Sequence, residues 1–168
     1  MFLSNADLAC RLITYANVSD IKTIPLDKLL SQTNLQVAAP ILVLGFPMGL
    51  RSERYATPIA RSGIVARSGD GELILDAFIF PGNSGGPVVY VPPIKVDGPL
   101  SSTLINEERI VGIVTDYLPF TDVALSPQTK RPRVSFEENS GLCHAIPADK
   151  ILEMLNQPDF KKLDGQSK

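Results

Sequence analysis

Apolar residues along the chain come in short runs that are separated by glycine, proline and polar residues. This pattern is typical of β-strands joined by turns, and no internal repeat accompanies it. The first strand is expected at residues 7–15, and a connection follows at 16–40. The remaining predicted strands, with the spacing that a β-barrel requires, cover residues 41–44, 62–66, 72–80, 87–91, 109–115 and 141–145.

Two stretches lack this pattern, and the C-terminal region follows a different one. Residues 92–108 and 118–140 are rich in proline, serine and charge, which predicts longer surface loops. Pro147 can occupy the first position of a helix. An apolar face formed by Ile151, Leu152 and Leu155 then extends that helix to Asn156. Residues 160–168 are expected to fray.

The segment FPGNSGGPVV at residues 80–89 predicts a rigid corner between two buried strands. Glycine allows positive φ and proline fixes φ, so the turn is pre-shaped and presents Ser84. A nucleophilic serine needs a base and an oxyanion hole. The backbone N–H groups of Gly82 and Ser84 are the expected oxyanion donors. The alternative is a β-turn in which Ser84 only fills a position.

The GNSGGPVV sequence at residues 82–89 resembles the nucleophile loop of chymotrypsin-fold serine proteases, in particular their bacterial trypsin-like, HtrA-like branch. The resemblance extends from the first residues to about Leu155. It implies a chymotrypsin-like β-barrel in which the second barrel is essentially complete, only the end of the first barrel is present, and a C-terminal helix follows. Further segments that carry it are LGFPMGL at 44–50, SGIV at 62–65, LDA at 75–77, RIVGIV at 109–114 and GLCHAIP at 141–147.

The resemblance also implies a domain division and a second catalytic residue. Residues 1–40 are assigned to the end of the first barrel and the connection between barrels, 41–158 to the second barrel with its helix, and 159–168 to a tail. The ADLA sequence at 6–9 is similar to the family segment whose aspartate orients the catalytic histidine, which makes Asp7 the candidate. An ordinary turn aspartate is the alternative.

The catalytic histidine of the family is missing from the expected place. It precedes the aspartate in the family, whereas the single histidine of this chain is His144, on the predicted closing strand. Losing the triad histidine costs about a millionfold in kcat, so this chain alone is expected to be nearly inert. We therefore expect a missing N-terminal segment that carries the histidine.

The resemblance places three residues in the substrate pocket. Phe78, six residues before Ser84, is the implied pocket floor. Because no acid stands there, a small apolar substrate side chain is expected rather than lysine or arginine. Thr115 ends the strand that lies beside the substrate. His144 either meets a substrate carboxylate, as in some glutamate-specific relatives, or is a satisfied core histidine.

Composition and charge narrow the list of partners. The formal net charge is −2 without a long run of one sign, which predicts neither a nucleic-acid nor an anionic-membrane partner. Cys10 and Cys143 form no metal-ligand pattern and are expected to be two buried thiols, so neither a metal nor a cofactor is predicted. The residues given contain no signal peptide or transmembrane run. Localisation stays open: cytoplasmic for these residues, exported if an upstream signal exists.

Two functions follow from these observations. The first is a trypsin-like serine endopeptidase that acts on a protein or peptide substrate. The second is a non-catalytic peptide-binding module derived from a protease barrel, which would pair an extended peptide with the strand after Val111. The glycines around Ser84 favour the first, because a binding module has no need of an oxyanion turn.

Overall fold

The computed structural model describes residues 2–11, 13, 22–50, 57–92, 94–98, 101–104 and 107–165. The strands in these ranges are β1 (Phe2–Leu3), β2 (Leu8–Ala9), β3 (Pro40–Gly45), β4 (Ile59–Gly69), β5 (Glu72–Asp76), β6 (Pro87–Tyr90), β7 (Ile94–Gly98), β8 (Ser101–Leu104), β9 (Arg109–Leu125) and β10 (Pro132–Pro147). Helices α1 (Ala148–Leu155) and α2 (Pro158–Gly165) follow, and short 3-10 turns lie at Leu26–Lys28, Gln32–Asn34 and Pro47–Gly49.

Six strands form one antiparallel sheet that closes on itself in a ring. The order around the ring is β10, β5, β4, β3, β6 and β9, and β9 then pairs with β10 again. Closure leaves these strands without an open edge over their paired lengths, so their backbone hydrogen bonds are satisfied within the sheet. The prediction of a mainly β fold with a C-terminal helix is confirmed.

The interior of the ring is filled by aliphatic side chains that alternate along the strands. On β3, Ile41 and Val43 are buried, whereas Leu42 and Leu44 are half-buried. This period of two places one face of each strand inside. The inward residues form a single cluster: Leu35, Ile41, Val43, Val65, Leu73, Leu75, Ala77, Ile79, Val88, Val111, Val114, Cys143 and Ala145.

A smaller apolar cluster holds the N-terminal hairpin against the C-terminal helix. Leu3 and Leu8 of the β1–β2 hairpin are buried with Ile146 and Met154. The segment after the hairpin is fixed to the same helix, because the Ser31 hydroxyl donates to Asp149 Oδ1 (2.6 Å) and the Gln32 amide to Asp149 Oδ2 (2.8 Å). The described parts of residues 1–40 therefore pack on the body that carries the ring.

Three expectations about local structure were wrong. Only Leu8–Ala9 is strand within 7–15, while residues 12, 14 and 15 lie outside the described part. The predicted loop at 92–108 contains the β7–β8 hairpin, and the one at 118–140 is the continuation of β9 and β10. Residues 119–138 are exposed apart from Ser126, so both faces tolerate polar residues and the alternation that reveals a half-buried strand is absent.

The C-terminal region also differs from its prediction. Pro147 is the N-cap of α1 rather than its first helical residue, and α1 ends at Leu155 with Asn156 as its C-cap. The residues expected to fray include most of α2, which begins at Pro158 and has Asp159 in its first turn. Proline at a helix start and an acid near the positive end of the helix dipole both favour helix there. Among the described residues, no helix is long and apolar enough to cross a membrane.

Gly63 is expected to permit the close approach of β4 to the end of β5. A Cβ at this position would lie 2.4 Å from the Asp76 carbonyl oxygen and 2.6 Å from Ala77 Cβ. Gly63→Ala should therefore lower the free energy of unfolding by about 1–3 kcal/mol, measured by chemical denaturation. Gly165→Ala is the matched control, because nothing lies within 4 Å of its Cβ position. Equal stability of the two variants would contradict this account of the β4–β5 contact.

Candidate functional site

The corner that carries Ser84 is anchored on two sides by backbone hydrogen bonds. On one side the Phe46 and Met48 amides donate to the Gly82 (3.1 Å) and Pro81 (2.6 Å) carbonyls. On the other, the Gly85 amide donates to the Val114 carbonyl (2.8 Å), and the Val114 amide donates to the Gly86 carbonyl (2.9 Å). These bonds tie the corner to the turn after β3 and to the middle of β9, so its shape is fixed.

Glycine is required at two points because backbone approaches backbone closely there. A Cβ on Gly82 would lie 2.2 Å from the Phe46 carbonyl oxygen, and one on Gly86 would lie 2.0 Å from the Leu44 carbonyl oxygen. Gly82 also has a φ of 100°, a conformation that side chains disfavour. The expectation that the corner is a pre-shaped turn agrees with this geometry.

Asn83 supports the corner from inside, a role that sequence reasoning missed. Its side chain is fully buried, and its Oδ1 accepts a hydrogen bond from the Phe80 amide (3.0 Å). Its own amide donates to the Phe80 carbonyl (3.0 Å). An asparagine side chain that bonds a nearby amide is a known turn signal, so the sequence did contain a clue. Asn83 Nδ2 is buried without a hydrogen-bond partner in the described part of the chain.

Ser84 is exposed at the tip of the corner. Its hydroxyl donates a hydrogen bond to the Thr115 carbonyl oxygen on β9. Within the described ranges, the amides of Gly82 and Ser84 donate to no protein acceptor, so both donors are available to an external oxygen. A hydroxyl flanked by two available amides has the composition that acyl transfer requires.

A pocket of about 470 Å³ opens beside this hydroxyl. Its lining includes Ser84, Gly82, Phe46 and Pro58, and no charged side chain of the described residues contributes to it. An uncharged lining offers no counter-ion to a lysine, arginine or carboxylate side chain. The pocket is therefore suited to backbone and small apolar groups.

Thr115 and His144 meet at a β-bulge. Val114 pairs with Ala145 and Tyr117 with Cys143, which leaves Thr115 and Asp116 opposite the single residue His144. The Thr115 hydroxyl donates to Asp116 Oδ1 (2.7 Å) and is 3.3 Å from the His144 carbonyl oxygen. His144 Nδ1 lies 3.4 Å from Asp116 Oδ1.

This geometry weighs against both interpretations of His144. Its side chain is 38% exposed, so it is not a core histidine. Its ring already faces the carboxylate of Asp116, which would repel a carboxylate of the substrate. Thr115 and His144 line a neighbouring recess of about 280 Å³, and Ser84 is not part of its described lining. The described hydrogen bond between Thr115 and Ser84 is accepted by the Thr115 carbonyl oxygen.

No described hydrogen bond joins Asp7 or Phe78 to Ser84, and neither residue is among the described lining of the pocket beside Ser84. Asp7 is exposed in the turn between β1 and β2 and forms no hydrogen bond with another described residue. Its neighbours Asn5 and Ala6 line the recess of Thr115 and His144, so the hairpin lies on that side. Phe78 is 53% exposed and covers Gly141, whose Cβ position is 3.5 Å from the ring.

No group of three or more histidine, cysteine, aspartate or glutamate side chains could hold a metal ion in the described ranges. No protein-family model matches the sequence. No curated protein matches it significantly either. Function must therefore be argued from the geometry of the site.

Cys143 should be chemically protected while the ring is folded. Burial, assisted by the charges of Asp116 and Asp76, raises the pKa of its thiol to about 11. At pH 8 the thiolate fraction is then about one in a thousand. In a Cys10→Ser variant, a disulfide reagent should label Cys143 only after denaturation. Rapid labelling of the native protein would contradict the burial.

The same pKa predicts how this thiol affects stability. The unfolded thiol loses its proton near its ordinary pKa of 9.0, whereas the folded thiol keeps its proton up to about 11. The unfolded state therefore binds fewer protons in this window, and the contribution of Cys143 to stability falls as pH rises from about 9 to 11. In urea titrations between about pH 9 and 11, the free energy of unfolding should fall less in Cys143→Ala than in the parent protein. An equal fall in the two proteins would contradict the assignment.

Proposed function

We propose that this chain carries the nucleophile and the oxyanion donors of a trypsin-like, chymotrypsin-fold serine endopeptidase. The observation that supports it most is the rigid corner, on which an exposed Ser84 hydroxyl stands beside two amides that no described acceptor uses. In this proposal the closed ring is the second barrel of that fold, and α1 is its C-terminal helix.

The proposed reaction is nucleophilic attack on a peptide carbonyl. The Ser84 oxygen adds to the carbonyl carbon and its proton passes to a base, while the N–H groups of Gly82 and Ser84 receive the developing oxyanion. The base then returns the proton to the leaving amine, and water hydrolyses the acyl-enzyme by the same route. The uncharged pocket beside Ser84 is suited to a small apolar substrate side chain.

The base is the missing part of this machinery. The Ser84 hydroxyl donates to the Thr115 carbonyl, and a carbonyl oxygen can accept a hydrogen bond but cannot take up the proton. His144 faces Asp116 in the neighbouring recess. The proposal therefore assigns the base to a histidine outside these residues, with Asp7 as the group that would orient its ring.

A peptide-binding module is the second candidate, and one observation favours it. β6 pairs with β9 at residues 109–113, and beyond them the described part of β9 pairs only with β10. Among the described residues, the other edge of β9 beyond Thr115 is therefore unpaired, next to Ser84, and could accept an extended peptide as an added strand. A protease would use the same edge to align its substrate.

The chain by itself should not hydrolyse peptides. Absence of the triad base lowers kcat by about a millionfold, so casein and small chromogenic esters should remain uncleaved above background. The measurement compares the parent protein with Ser84→Ala and His144→Ala. Turnover that disappears in Ser84→Ala but persists in His144→Ala would reveal a base that the proposal lacks.

Supplying the histidine should create activity. A fluorophosphonate probe should label the chain only when a histidine-bearing first-barrel segment is joined or co-expressed, and labelling should vanish in Ser84→Ala. Asp7→Asn should reduce labelling by at least about a hundredfold if Asp7 orients the base.

Asp70→Asn is the matched control for this experiment. Asp70 is also an exposed turn aspartate, but it lies between β4 and β5, and its variant should label like the parent. Equal labelling of Asp7→Asn and Asp70→Asn would refute the role of Asp7. Binding of an extended peptide without any labelling of the completed protein would favour the second candidate.

A further inference from the structure

The outer parts of β9 and β10 leave the ring as a two-stranded ribbon, here defined as residues 118–140. Pairing with β6 ends at Ile113 on β9, and pairing with β5 begins at Leu142 on β10. The ribbon is closed at its tip by hydrogen bonds between Ser126 and residues 130 and 131. An isolated two-stranded hairpin is marginally stable in water, so the ribbon would gain from a partner.

One face of the ribbon carries two exposed aromatic rings that the described part of the chain does not cover. Phe120 pairs with Glu138, Asp122 with Phe136, and Ala124 with Val134. Cross-strand partners share a face, and so do every second residues along a strand, so these six side chains lie on one face. We call it the aromatic face. Phe120, Phe136 and Val134 are 58%, 54% and 46% exposed.

The charges of the ribbon are divided along its length. The basic residues Lys130, Arg131 and Arg133 lie at or next to the tip, and the acidic residues Asp122, Glu137 and Glu138 lie nearer the ring. Asp122 and Glu138 belong to the aromatic face, whereas Glu137 pairs with Thr121 on the opposite face. None of the six forms an ion pair within the described part of the chain. Arg133 and Glu138 are about 17 Å apart along the strand, at about 3.3 Å per residue.

We propose that this face binds the same face of a second copy of the chain, with the two ribbons antiparallel about a two-fold axis. A two-fold contact must be self-complementary. The antiparallel arrangement places the basic tip of each ribbon against Asp122 and Glu138 of the other and buries the two phenylalanines of each copy. Because the acidic side chains of the face lie beside a basic tip, a partner of uniform charge would be repelled by one of these two regions.

The size of the contact sets the strength of this dimer. Eight residues per strand and two strands give a face of about 26 by 10 Å, on the order of 260 Å² per copy. Stable complexes bury about 800 Å² per partner, so the dimer should be weak and reversible. This inference does not depend on the chemistry at Ser84.

Sedimentation equilibrium from about 10 µM to 1 mM tests the apolar part of the contact. The parent protein should show a monomer–dimer equilibrium. The double variant Phe120→Ser/Phe136→Ser should raise the dissociation constant of the dimer at least tenfold. The matched control is Val123→Ser with Leu125→Ser, two exposed apolar residues on the opposite face of β9. Protection of the Cys143 thiol verifies that the ring of each variant is folded.

The contribution of the charged side chains to the dimer contact is tested by reversing the sign of their charges. Changing Lys130 and Arg131 to glutamate, or Asp122 and Glu138 to lysine, should each weaken the dimer at least tenfold, whereas Glu137→Lys on the opposite face should leave it unchanged. The four changes combined should restore it, because the inverted pattern is again self-complementary. A parent protein that is monomeric at all concentrations would overturn the proposal. It would also be overturned by association that survives the phenylalanine changes, is lost equally in the control, or is not restored by the combined variant.

Discussion

The close approach of the corner to the end of β3 is the contact on which the rest of the structure depends. The carbonyl oxygens of Leu44 and Phe46 occupy the space where side chains would start on Gly86 and Gly82. This approach holds the corner rigid, and β6, which follows it directly, is thereby placed between β3 and β9. Ring closure and the presentation of Ser84 therefore have the same physical origin.

The corner and the recess next to it differ in how they are stabilised. The corner consists of backbone hydrogen bonds with the buried Asn83 side chain beneath it. The recess depends on side-chain contacts of Thr115, Asp116 and His144, which are partly exposed. Backbone contacts are independent of side-chain rotamers and of pH, so the geometry around Ser84 should be retained when the recess changes. A rigid corner is what an oxyanion site needs, because its donors must already be in place when charge develops.

The ribbon has the opposite character. The ring encloses its own apolar side chains, whereas the ribbon exposes Phe120 and Phe136 and has no layer of the described chain over them. Burial of the apolar side chains inside the ring stabilises the ring. The ribbon can gain comparable burial only from contact with another surface, which makes it the part of the molecule most dependent on association.

The sequence by itself determined the local features of this protein. Short apolar runs predicted the strands of the ring, and the glycines and prolines around Ser84 predicted the rigid corner, because both signals act between residues near in sequence. Asp7 and the missing histidine were inferred from resemblance alone, and no described contact links Asp7 to Ser84.

Only the tertiary structure decided which distant residues meet. The bulge that sets Thr115 and Asp116 against His144 arises from the register of β9 on β10, and no residue near 115 specifies that register. The burial of Asn83 depends on β3, about forty residues away in the sequence. The ribbon was hidden because both of its faces are exposed, so its sequence has no alternation; only the pairing of its two strands across the turn shows that it is a β-hairpin.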